Sequence, residues 1–209
     1  MVDIVDAKFI TSAPNVSAAP ASEEQNEVVF MARSNVGKSS LLNALTNHKG
    51  LAKVSSTPGK TKLINYFDVT FLDRDTSEKL ITKFVDLPGF GYAKVSKSIK
   101  HDWEKNLTDY IANREQIKIF IHLIDCRHPH LEIDTAVSEF LFANAKEDQY
   151  IIQIFTKIDK LNQKEQNNLR REFPHALMVS SAKKRGTQKI IKEIYDILKE
   201  EPEEALDEH

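Results

Sequence analysis

Short, dense apolar runs alternate with stretches of helical spacing along most of the chain. Val28, Val29, Phe30 and Met31 form the first run, a turn follows, and Ser40-Leu41-Leu42-Asn43-Ala44-Leu45 then has helical spacing. Leu63 to Leu72 and Leu80 to Val85 are rich in β-branched and aromatic residues, and the polar turn Asp73 to Lys79 between them predicts a hairpin. Helical spacing returns around Ile99 to Arg114, where Trp103, Leu107, Tyr110 and Ile111 fall on one face. Ile117 to Ile124 is almost continuously apolar, as a strand covered on both faces of a parallel sheet must be. Next come a helix at about Ile133 to Ala145, a buried strand at Tyr150 to Phe155, a polar helix at Gln163 to Glu172 and a last strand at Ala176 to Val179. The closing helix, Thr187 to Lys199, has Ile190, Ile191, Ile194, Ile197 and Leu198 on its apolar side.

Alternating strands and helices with one early hairpin predict an α/β fold: a mostly parallel six-stranded sheet with one antiparallel edge strand and helices on both faces. Ligand then belongs at the carboxyl ends of the strands. Residues 1–26 hold a candidate short strand, Asp6 to Ile10, and an Ala-, Ser-, Pro- and Asn-rich surface linker. The core domain runs over residues 27–199, and residues 200–209 form an acidic, solvated tail.

Composition narrows the class. At 209 residues and 41% hydrophobic content the chain suits one core with appendages. No apolar run approaches membrane-spanning length and the N-terminus lacks a basic region followed by an apolar stretch, so no membrane association and a cytoplasmic location are expected. The single cysteine, Cys126, fits a reducing compartment. A net charge of −2 provides no general attraction for nucleic acid, so any RNA contact must come from local patches. A monomer is expected, because no amphipathic stretch is left over once the core is built.

Between the first strand and the first helix, Ala32 to Ser39 approximates the phosphate-loop pattern G-x-x-x-x-G-K-[ST], in which main-chain N–H groups cradle phosphates, lysine reaches the β/γ-phosphates and the hydroxyl binds Mg²⁺. Gly37, Lys38 and Ser39 match, but Ala32 stands where the first glycine belongs. The competing reading is a glycine turn beside a surface lysine. Other strand ends carry complementary chemistry. Asp86 is placed to accept from the water shell of Mg²⁺, and Gly89 can offer its N–H to a γ-phosphate. Asp159 can accept from both N1–H and the exocyclic amine of guanine, Lys157 can lie along the base, and the N–H groups of Ser181 and Ala182 can meet O6.

This ordered set resembles the core of the translation-factor-related GTPases and, more narrowly, the EngB (YihA/YsxC) family of bacterial ribosome-assembly GTPases. The resemblance rests on ARSNVGKSSLLNALT, STPGKTKLINYF, VDLPGFGYAKV, LIDCRHP, TKIDKL and VSSAKKRG, and covers about Lys8 to Lys199. It implies a three-layer P-loop NTPase (Ras-like) fold and fixes the expected order of the edge strands. It also implies GTP or GDP phosphates at Ala32, Arg33, Ser34, Asn35, Val36, Gly37, Lys38 and Ser39, with Mg²⁺ on Ser39 and Thr61 and, through water, on Asp86. Switch contacts follow at Gly59, Lys60, Thr61, Lys62 and Leu63 and at Asp86, Leu87, Pro88 and Gly89. Guanine is expected at Thr156, Lys157, Ile158 and Asp159 and at Val179, Ser180, Ser181 and Ala182. Thr156 stands where most GTPases have asparagine, although threonine is common in this family.

The implied activity is GTP hydrolysis coupled to assembly of the large ribosomal subunit, with precursor rRNA and ribosomal proteins as partners and a requirement for normal cell division and septation. Lys38 and Thr61 would act on the γ-phosphate, and Asn35 resembles the asparagine that holds a potassium ion in similar GTPases. The residue after Gly89 is Phe90, which cannot orient water as the glutamine of Ras does, so hydrolysis should be slow. Competing readings are a small-molecule kinase, disfavoured by the guanine-reading set, and a nucleotide-gated binding module acting in septation. Asn35 could instead only cap the loop through local hydrogen bonds. Cys126, His128 and His130 lack paired zinc spacing and read better as a polar loop. Trp103 and Tyr110 read as core rather than a base-stacking platform. Lys183, Lys184, Arg185 and Lys189 are either solvated or, with the basic loop 49–62, an RNA contact.

Overall fold

In the computed structural model, which describes residues 1–21, 25–52, 63–90 and 108–200, seven strands form one sheet. They are β1 (Val2–Ala13), β2 (Glu27–Ala32), β3 (Ile64–Asp73), β4 (Lys79–Asp86), β5 (Ile117–Asp125), β6 (Tyr150–Thr156) and β7 (Leu177–Met178), ordered β1-β3-β4-β2-β5-β6-β7. Four helices are α1 (Lys38–Leu45), α2 (Glu132–Asn144), α3 (Gln163–Glu172) and α4 (Thr187–Lys199), and residues 108–113 are also helical. The expected mostly parallel, three-layer architecture is present. β4, β2, β5, β6 and β7 pair in parallel, while β3 runs antiparallel to both neighbours.

Two details depart from expectation. The sheet has seven strands rather than six, and its antiparallel strand is not the edge, because β1 lies outside it over its full length. Two register shifts explain why the pattern of β1 is hard to read. They fall between Ile4 and Asp6 and between Phe9 and Thr11, so Val5 and Ile10 are extra residues, and both point to solvent. Each bulge inverts the side-chain alternation that marks a strand, leaving only the middle segment recognisable. Phe9 still packs edge-on against Phe67, with ring centroids 5.7 Å apart.

The all-apolar reading of β2 follows from burial on both faces. Val28, Phe30 and Ala32 face Leu41, Leu42 and Leu45 of α1 and Ile190, Ile191 and Ile194 of α4. Val29 and Met31 face Tyr110, Ile111 and Leu141 on the opposite side. Tyr110 is thus a core residue, as expected, and its hydroxyl donates to the buried Glu27 carboxylate at 2.8 Å; Trp103 lies outside the described residues. A third cluster of Ile124, Cys126, Phe155, Ile158 and Leu169 seats α3 beneath the carboxyl end of β6. α3 starts at a capping box in which Asn162 and Glu165 bond each other's main-chain N–H. Every parallel strand therefore ends on the same side, where the polar tetrapeptides lie.

Candidate functional site

The phosphate loop leaves β2 at Ala32, and the structure shows why alanine is tolerated there. Ala32 keeps strand geometry and its methyl is fully buried in the core, so no left-handed backbone is required of it. The sharp bends come later, at Asn35 (φ 65°) and Gly37 (φ 111°). Asparagine is among the few non-glycine residues that visit this region routinely, which accounts for Asn35 by backbone alone. Its exposed side chain makes no hydrogen bond among the described residues. α1 begins at Lys38, immediately after Gly37, with Ser39 in its first turn.

Lys38 is nearly buried. Its ammonium donates to the Asp86 carboxylate and, at 2.7 Å, to Leu87 O. Burial pulls the ammonium down to about 7. Asn65 was not singled out by sequence; its Nδ2 lies 3.4 Å from the other Asp86 oxygen, and its position in INYF carried no chemical signal. Beyond Asp86 the chain continues alongside the phosphate loop. Leu87 N–H donates to Phe30 O at 3.2 Å, Phe90 N–H to Ala32 O at 3.1 Å, and Ser34 N–H to Phe90 O at 3.1 Å. A Cβ on Gly89 would lie 3.1 Å from Ser34 Oγ, so only glycine permits this approach without displacement. Leu87 and Val36 are buried and Pro88 is half-buried, leaving main chain as what they offer a ligand.

At the other end, the Thr156 hydroxyl donates to Val36 O at 2.8 Å and approaches Ile124 O at 3.3 Å, stapling the back of the phosphate loop to β6. Lys157 adopts φ 60°. Its Nζ donates to Asn35 O at 2.6 Å and to Asp125 Oδ2 at 2.9 Å. Asp125 also accepts from Arg127 Nε at 2.9 Å and Nη2 at 2.7 Å. Burial pushes the Asp125 carboxyl up, but Arg127 and Lys157 outweigh it and hold the group well below the usual carboxylate range. Asp125 and Arg127 were missed as site residues, although an acid and a base directly after a buried strand were visible. His130 turns to the surface, 3.4 Å from Glu172.

Ser180 Oγ donates to Asp159 Oδ1 at 2.6 Å and lowers its pKa. Ile158 N–H reaches Val179 O at 3.3 Å, so the two base-side segments are joined. Ile158, Val179 and Ser180 are buried, whereas Ala182 is exposed and Ser181 partly so. Two of the four cations in the nearby basic cluster are tethered: Lys184 Nζ bonds Asn47 Oδ1 at 2.9 Å and Arg185 Nη2 bonds Gln166 Oε1 at 3.0 Å. Arg33 sends its side chain inward to Asp134 rather than toward the loop's concave side. Gly59, Lys60, Thr61 and Lys62 lie outside the described residues; Leu63 is exposed at their border. The structure thus brings the phosphate loop, Asp86 to Gly89, Thr156 to Asp159 and Val179 to Ala182 to one edge of the sheet.

Residues 27–157 match the family model of the 50S ribosome-binding GTPases. A probable GTP-binding protein EngB of Aliarcobacter butzleri is 56% identical over 184 residues, covering 88% of this chain and 92% of the relative. The chain belongs to the EngB family of GTP-binding proteins. A second EngB relative, from Campylobacter jejuni subsp. doylei, is 51% identical over 88% of this chain and 91% of its own length. The crystal structure of a probable GTP-binding protein engB matches with a TM-score of 0.62 at 21% identity, covering 84% of this chain and all of the other, a likeness of fold. The chain is therefore a GTP-binding protein of a GTPase family. Among the described residues no helix is long and apolar enough to cross a membrane.

Proposed function

We propose that this protein is a slow GTPase switch, a cytoplasmic monomer whose GTP form docks on the assembling large ribosomal subunit and leaves after hydrolysis. Residues 27–199 form its nucleotide-binding unit. The observation that carries the reading is Lys157, whose ammonium spans Asn35 O on the phosphate loop and Asp125. It ties the base-side loop to the phosphate side, as one nucleotide bound across both would require. Asp159, held by Ser180, reads the guanine edge, and the N–H groups of Ser181 and Ala182 serve O6. Ala32, Arg33, Ser34, Asn35, Val36 and Gly37 contribute main chain to the phosphates, and Lys38 contributes charge.

The donor set suits Mg²⁺: Asp86 is a buried carboxylate beside Lys38, and Ser39 follows in the first helical turn, an oxygen-only pair that a hard cation prefers. Ser39, Thr61 and, through water, Asp86 would hold the ion, which neutralises phosphate charge when bound. Potassium at Asn35 is included in the proposal; its support is an exposed amide at the loop's bend that makes no hydrogen bond among the described residues. Slow turnover is supported by Phe90, buried against His122 and unable to orient water. The large-subunit partner rests on the description of the matched family as 50S ribosome-binding GTPases, and septation would respond to a faulty supply of ribosomes.

The test is equilibrium binding of GTP, GDP, ATP and a xanthine nucleotide to the protein and to Asp159→Asn, followed by GTP turnover with and without large-subunit particles in potassium and in sodium. Guanine preference that passes to xanthine in the variant, and turnover raised by the particles, are expected. Particles that leave turnover unchanged would overturn the ribosomal assignment, and equal rates in the two salts would remove potassium.

A further inference from the structure

Beneath the phosphate loop, on the face of the sheet that carries α2, four residues close a ring. Arg33 and Phe90 are joined through their main chains, since the carbonyl before Arg33 and the N–H after it both bond Phe90. The Arg33 side chain runs inward, its Nε donating to Asp134 Oδ2 at 2.8 Å. Asp134 Oδ1 lies 3.9 Å from His122 Nε2, and the His122 ring lies against that of Phe90 with centroids 6.1 Å apart. Asp134, His122 and Phe90 are all buried.

Hydrogen bonding assigns the histidine tautomer. Ser138 Oγ has one proton, which goes to the Asp134 carbonyl at 3.1 Å. The same oxygen accepts from Gln153 Nε2 at 3.0 Å, so its remaining lone pair takes the proton of His122 Nδ1 at 3.0 Å. His122 Nε2 is then a bare acceptor facing the acceptor Asp134 Oδ1, and neither atom has a hydrogen-bond partner among the described residues. Burial and the Arg33 charge push His122 down to about 4, leaving it neutral near pH 7. Burial likewise pushes Asp134 up, against Arg33. Arg33 is thus the cation on which the buried carboxylate depends, and removing one partner of such a pair is far costlier than retaining both. The guanidinium is held in place, and with it the main chain where the phosphate loop meets Phe90.

We propose that Asp134, outside every nucleotide motif, is a positioning residue: acting through Arg33 it holds the phosphate loop and the Gly89-Phe90 segment in one frame and so favours the triphosphate over the diphosphate. The inference rests on the proposed contact of Gly89 N–H with the γ-phosphate. Both nucleotides use the loop, but only GTP uses Gly89, so loosening the shared frame penalises GTP more.

Asp134→Asn keeps the shape, still accepts from Arg33, and offers its amide to His122 Nε2, while the ion pair becomes a hydrogen bond from the guanidinium to a neutral amide. Binding of a non-hydrolysable GTP analogue and of GDP is measured by calorimetry for wild type, Asp134→Asn, Arg33→Lys, Arg33→Gln and the Asp134→Asn/Arg33→Gln double variant, with thermal unfolding of each. Asp134→Asn should weaken the analogue about tenfold and GDP by less than about threefold, the scale of removing the acceptor's charge from one such hydrogen bond. Arg33→Lys, which keeps the charge but loses the planar fork, should show the same selectivity, and the double variant should bind no worse than Arg33→Gln. An unchanged ratio of analogue to GDP affinity in both Asp134→Asn and Arg33→Lys, or losses that add in the double variant, would overturn the proposal. A wild-type protein that binds both nucleotides equally would instead overturn the reading of Gly89.

Discussion

Gly186 offers a sharp test of how the base-side loop is held. It has φ 87° and precedes α4, and a Cβ there would lie 2.2 Å from Met178 O and 3.3 Å from Met178 C. The obstacle is main chain, so no rotamer change relieves it. Alanine in left-handed backbone costs about 1–2 kcal/mol, and overpacking against an immovable neighbour adds about 1–3 kcal/mol. Gly186→Ala should therefore lose about 3 kcal/mol, or about 6–12 °C in Tm for a domain of this size. Gly50 is the internal control: its φ is 86°, but none of the described residues lies within 4 Å of a Cβ there. Gly50→Ala should show the backbone term alone, about 3 °C in Tm. The clash also pushes on Met178, two residues before the Ser180 that anchors Asp159, so saturating GDP should raise the Tm of Gly186→Ala by less than that of wild type. The assay is thermal unfolding of the three proteins with and without GDP. Equal shifts for the two alanine variants would refute the claim that Met178 O is the obstacle.

Other outcomes follow from named contacts. Thr156→Val removes a buried hydroxyl that donates to Val36 O; it should cost about 1–2 kcal/mol in urea unfolding and weaken GTP and GDP alike, since the loop serves both. Lys38→Met leaves Asp86 buried without its cation, so nucleotide binding should be lost and chemical stability should fall by about 3 kcal/mol. His122, ordinarily near 6.5, is pushed down to about 4 by burial, so at pH 5 the unfolded chain takes a proton that the folded protein refuses. Stability should then fall as pH drops from 7 to 5, by about 2 kcal/mol from this group, with the raised pKa of Asp134 acting in the opposite direction. His122→Gln should flatten that slope in urea melts at the two pH values, and an unaltered slope would show that other groups set it.

Local pattern revealed the buried strands because both faces are covered, as for β2 and β5, and revealed the motif order because each tetrapeptide directly follows its strand. Ile158, Val179 and Val36 show the limit of such reading: they lie within the motifs, yet their side chains are buried and only main chain is left for a ligand. The tertiary structure alone decided how the motifs meet. Lys157 and Asn35 are 122 residues apart in sequence, and Arg33 and Asp134 are 101 apart; no periodicity encodes who stands across a gap. The full extent of β1 was likewise hidden, because its two bulges reverse the alternation on which strand recognition depends. Ala32 could be judged only in three dimensions, where its methyl fills core and the bends fall at Asn35 and Gly37 instead. Sequence by itself determined the fold class, the family and the order of the nucleotide motifs, since these follow from burial and adjacency along the chain. Only the packed structure decided which charges are paired, because pairing depends on distances that close after the sheet has formed.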